Sequence, residues 1–110
     1  MNYQHKNLAA GHWYQQSFIE QMANIGSEVE RALNWQTKHN ATYCQRAFER
    51  SLELLNLTLE DTKGYPRLKE LCRLREALLD YFFGTNQFKL TEQSIRKYFL
   101  NFIYAARKHY

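Results

Sequence analysis

From about Tyr14 to Lys38 the apolar residues Phe18, Met22, Ile25, Val29, Ala32 and Leu33 recur at steps of three and four, while Glu20, Asn24, Ser27 and Arg31 fall on the opposite side. This spacing predicts an amphipathic helix. Gly26 lies beside the stripe, one turn from Ala23, and leaves room for a neighbouring backbone at a cost of about 1 kcal/mol in helix propensity. After the break at Lys38-His39-Asn40-Ala41, Thr42 and Gln45 match the T-x-x-Q capping box, which predicts the start of a second helix. Cys44, Ala47, Phe48, Leu52, Leu55 and Leu59 share one of its faces. Gly64 and Pro66 separate it from a third helix over 66–83, where Leu68, Leu71, Cys72, Leu78, Leu79 and Phe82 form an arc and Gly84 is the predicted stop. Thr91 is the predicted N-cap of a fourth helix, with Leu90 and Ile95 spaced as a hydrophobic staple. That helix presents Tyr98, Phe99, Phe102, Ile103 and Ala106 to a core. No segment alternates with the period of a strand, and no internal repeat is visible.

Four amphipathic helices joined by short connections cannot bury their stripes separately. The expected fold is therefore all-α, an antiparallel up-down-up-down four-helix bundle. The 110 residues make a single domain over 1–110, with 1–12 expected as a loosely ordered tail. One proline, four glycines and 45% hydrophobic residues exclude collagen-like and disordered classes. The opening residues lack the sections of a signal peptide, and the longest apolar run, 102–106, is far short of a membrane span, so a cytoplasmic location is expected.

Fifteen Lys and Arg against eleven Asp and Glu give a net charge of +4, which alone is no nucleic-acid signature. The excess sits wholly in the second half, where residues 91–110 carry four cations and one acid. Cys44 and Cys72 lie at neither disulfide-scaffold nor zinc-ligand spacing and are expected as small core residues. Phosphate-binding glycine loops, zinc-protease and serine-hydrolase motifs and the Glu-x-x-His pairs of di-iron bundles are absent from the sequence, so no metal, no cofactor and no catalytic residue is expected. His5, His12, His39 and His109 fall near predicted helix ends or in the tail; of these only His109 is placed to act chemically.

Two irregularities stand out. Arg75 projects onto the centre of the third helix's apolar arc, where an unpaired guanidinium would cost several kcal/mol. It is expected either to form a buried ion pair with Glu28 or Glu49 or to line a cleft for an anionic ligand. The outer face of the fourth helix carries Leu100 and Tyr104, bordered by Arg96 and Arg107 on one side and by Lys97, Asn101 and Lys108 on the other. Such a face suits a protein partner anchored on Leu100 and Tyr104, with a homodimer as the expected assembly. It would also suit nucleic acid, with the cations on phosphates and Tyr104 stacking.

The stretches from Met22 to Leu33 and from Ala47 to Leu55, followed by Leu74-Arg75-Glu76-Ala77-Leu78, resemble a group of short bacterial proteins that is in turn similar to HEPN-like four-helix bundles. That superfamily includes the substrate-binding subunits paired with small nucleotidyltransferases. The resemblance covers about residues 14–108 and rests on helix patterning and the Leu-Arg-Glu-Ala-Leu run. The ribonuclease branch is marked by an Arg, four to six intervening residues and a His, which this chain lacks: Arg31 precedes His39 by seven, Arg107 precedes His109 by one, and Arg96 reaches Asn101 instead. The resemblance thus implies a non-catalytic binding module that partners a small nucleotidyltransferase. The alternatives are a nucleic-acid-binding helical protein that uses its basic C-terminal helix, or a HEPN-type ribonuclease without the usual motif.

Overall fold

In the computed structural model, which describes residues 7–108, the first predicted helix begins only after Ser17, and a further short helix precedes it. The chain forms α1 (Asn7–Tyr14), α2 (Phe18–Thr37), α3 (Ala41–Asp61), α4 (Tyr65–Phe83) and α5 (Glu92–Lys108), with no strand among the described residues. The break follows from a capping box: the Glu20 amide donates to Ser17 Oγ at 3.1 Å, and the Glu20 carboxylate accepts from the Ser17 amide. Residues 7–12, expected as tail, therefore lie in α1. Trp13 at its end is only 5% exposed, and its indole Nε1 donates to Thr58 Oγ1 of α3 at 3.0 Å. The Gln21 side chain closes the corner by donating to the Trp13 carbonyl.

α2 ends at Lys38, after which His39 takes a left-handed φ of 58° and its amide, with that of Asn40, returns to the carbonyls of Gln36 and Trp35. The cap of α3 is Asn40 rather than the expected Thr42, since Asn40 Oδ1 accepts from the Tyr43 amide at 3.0 Å. Gly64, at φ 97°, turns the chain into α4 with Pro66 in its first turn, and Gly84 closes that helix. Thr91 caps α5 as expected: its Oγ1 accepts from the Ser94 amide and Ser94 Oγ accepts from the Thr91 amide.

α2 is the shared wall of the molecule, packed against α3 and α5. Its buried stripe, Met22, Ile25, Val29, Ala32 and Leu33, meets Ala47, Phe48, Leu52 and Leu55 from α3 and Ile95 and Phe99 from α5. α4 packs on α3 and buries only Leu71 and Leu78 fully. That narrow contact overturns the expectation for Cys72, which is exposed beside Leu71; Cys44 is half-buried against the core. Between α4 and α5 lies a seam crossed by the Tyr98 hydroxyl, which donates to Glu70 Oε1 at 2.8 Å.

Candidate interaction surface

Gly26 decides how close α5 comes to α2. A Cβ at that position would lie 2.7 Å from Phe99 Cβ, so the missing side chain is what seats Phe99. Alongside that contact runs a groove of about 380 Å³ whose floor is Val29, Leu33, Phe99 and Ile103, with Leu100 on its lip. Leu100 is 59% exposed and Tyr104, one turn on, 69%. Two apolar side chains so exposed and four residues apart form one stripe along the helix.

The cations expected around that stripe divide into two kinds. Arg96 is consumed by the protein itself. Its Nη1 donates to Glu30 Oε1 at 3.0 Å, its Nη2 to Asn34 Oδ1 and Glu92 Oε1 at 2.8 Å each, and its Nε to Glu92 Oε1 at 3.1 Å. This clamp ties the first turns of α5 to the far end of α2. Lys97 lines the groove, and Arg107 and Lys108 occupy the exposed last turn of α5, where they also oppose the negative end of the helix dipole. Those three carry no ion pair among the described residues.

The second expected constellation does not assemble. Arg75 is half-buried, but its Nε donates to the neutral Asn56 Oδ1 at 3.0 Å. Glu28 is bridged instead by Arg50 at 3.1 Å and Arg31 at 3.5 Å, and exposed Glu49 accepts from the Gln45 amide on its own helix. Helical periodicity finds the buried position of Arg75 but cannot say that a neutral amide faces it. Also not anticipated is Glu53 of α3, a carboxylate only 5% exposed. His12 and His39 are exposed, and His5 and His109 lie outside the described residues. Burial pushes the Cys44 thiol above its ordinary range, and burial together with the Glu70 carboxylate raises the Tyr98 phenol far above its own. Among the described residues no group of three or more His, Cys, Asp and Glu is placed to hold a metal ion, and no helix is long and apolar enough to cross a membrane.

No family model matches the chain, and neither a curated protein nor a solved structure is significantly similar to it.

Proposed function

We propose that the chain is a non-catalytic helical binding module in which α2, α3, α4 and α5 form an antiparallel four-helix bundle and the face made by α5 and the α2–α5 groove receives a protein partner. The observation that carries this reading is the continuous apolar strip of Leu100, Tyr104 and the groove floor, beside an arginine whose charge is already spent inside the molecule. A surface of this make-up offers area to bury and a cationic rim to orient a partner.

The antiparallel arrangement draws its support from paired positions. Arg96, Phe99 and Phe102 along α5 meet Glu30 and Asn34, then Gly26, then Phe18, which run backwards along α2. Tyr43 and Arg50 of α3 likewise meet Trp35 and Glu28 of α2.

In this proposal α5 joins two copies of the chain as a homodimer, and the resemblance to HEPN-like substrate-binding subunits supplies a small nucleotidyltransferase as the further partner, in the cytoplasm. The test is light scattering after size exclusion, at low and high salt, on the parent and on a chain carrying Leu100→Glu with Tyr104→Glu. The parent should dimerise, more strongly at high salt, because Lys97, Arg107 and Lys108 of two copies repel by about 1 kcal/mol per close exposed pair in water. The doubly substituted chain should stay monomeric. A monomeric parent at both salts, or a dimer that survives the double substitution, would defeat the homodimer. RNA binding that weakens steeply with salt would assign the face to nucleic acid instead.

A further inference from the structure

The three arginines of α4 have unequal surroundings. Arg67 lies 4.0 Å from the centre of the Phe18 ring and Arg75 donates to Asn56, whereas Arg73 has no hydrogen bond or ion pair among the described residues. Arg73 stands at the mouth of a cleft in the α4–α5 seam, on a different side of α5 from the groove against α2. The outer part of the cleft, about 490 Å³, is bounded by Arg73, Glu70, Phe88 and Tyr98. The inner part, about 180 Å³, reaches Leu78, Leu90, Ile95 and Phe99, and the two parts share Leu74, Ala77 and Tyr98. Together they have the size of a small-ligand site.

The polar groups at the mouth sort the ligand chemistry. Glu70 is the acid there and keeps its charge, with Oε1 accepting from the Tyr98 hydroxyl, whereas the Arg73 guanidinium, with no partner among the described residues, is the donor open to a guest. Phe88 is 52% exposed, yet its loop is pinned: its amide donates to Asp80 Oδ2 at 3.1 Å, and the Asn86 side chain both accepts from the Leu90 amide and donates to the Leu90 carbonyl. These bonds fix the backbone from which the Phe88 ring projects at the edge of the cleft. The inner chamber is almost wholly apolar, with Ser94 Oγ turned to the Thr91 carbonyl.

We propose that this cleft binds an amphipathic monoanion, an unbranched alkyl carboxylate, with its chain between Leu74, Leu78, Leu90 and Phe99 and its carboxylate on Arg73. Arg73 gives the carboxylate a charge-assisted hydrogen bond, and the chain replaces water against apolar walls. Its mouth at Arg73, Glu70 and Phe88 is separate from the α5 face assigned above to protein partners, while Ile95 and Phe99 line both its inner chamber and the α2–α5 groove.

Isothermal titration calorimetry of the full chain with decanoate, below its micelle concentration, tests the assignment. Decanoate should bind, with shifts of the Leu74, Ala77, Leu90 and Tyr98 amides in parallel NMR spectra. Octanoate should bind about 15-fold more weakly, at about fourfold per buried methylene. Arg73→Gln should weaken decanoate by about tenfold. Ala77→Trp, which fills the chamber, should abolish binding while circular dichroism confirms the fold. Decanol binding as tightly as decanoate would remove Arg73 from the site. Absence of decanoate binding, undiminished binding to a folded Ala77→Trp chain, or amide shifts on α2 in place of the seam would overturn the proposal.

Discussion

Adding one methyl at Gly26 tests the close approach of α5 to α2. Phe99 Cβ would stand 2.7 Å from the new atom and the ring carbons Cγ and Cδ1 3.0 Å, and because that Cβ is bonded to the α5 backbone the helix itself must move. Overpacking of this kind costs about 1–3 kcal/mol, and alanine's better helix propensity offsets about 1 kcal/mol of it. Gly26→Ala should therefore lose about 1 kcal/mol in urea denaturation; an unchanged or raised midpoint would show that α2 and α5 stand farther apart. Arg75 is the converse case, since its partner Asn56 carries no charge. Helical projection marks Arg75 as inward-facing from its flanking leucines, but its partner depends on the rotation of α3 relative to α4, which no spacing along one helix contains.

Ser17 governs how the N-terminal region is cut into elements. Ser17→Ala removes the side-chain half of the capping box, the Oγ that accepts from the Glu20 amide, and should cost about 1 kcal/mol, while Ser17→Asn, which keeps an acceptor for that amide without adding a second carboxylate beside Glu20, should stay within a few tenths of the parent in thermal melts. The four long helices are legible in the sequence because each carries a stripe of period 3.6, and Gly64, Pro66, Gly84 and Thr91 mark the boundaries. The helix Asn7–Tyr14 is not, since its eight residues show no such stripe and a tertiary contact, Trp13 on Thr58, accompanies it. The Ser17-x-x-Glu20 signature stands in the sequence as well, but it falls inside the stretch from Tyr14 that the apolar spacing assigns to one helix. The exposed pair Leu100 and Tyr104 is likewise readable from spacing alone. The withdrawal of Arg96 from their rim is not, because Glu30 and Asn34 lie more than sixty residues away in the chain.

Across the molecule, the Tyr98–Glu70 bond couples the stability of the α4–α5 seam to alkaline pH. The folded phenol has its pKa raised, so its contribution is fully present below the unfolded value of about 10 and is lost as pH climbs towards the folded one. Urea midpoints taken from pH about 9 to 11 should fall more steeply for the parent than for Tyr98→Phe; identical slopes would show that the seam does not feel this proton. The position of α2 as common wall has a different consequence, felt while the chain is being made. The α2–α3 hairpin can close as soon as α3 has left the ribosome, because its contacts are near in sequence. The other side of α2, around Gly26 and Val29, must wait for α5, whose Arg96 reaches back across 66 positions to Glu30. Until those seventeen residues emerge, a nascent chain displays a bare apolar helix face, so α5 acts as the built-in cover that ends the interval in which a chaperone or another nascent chain can seize α2.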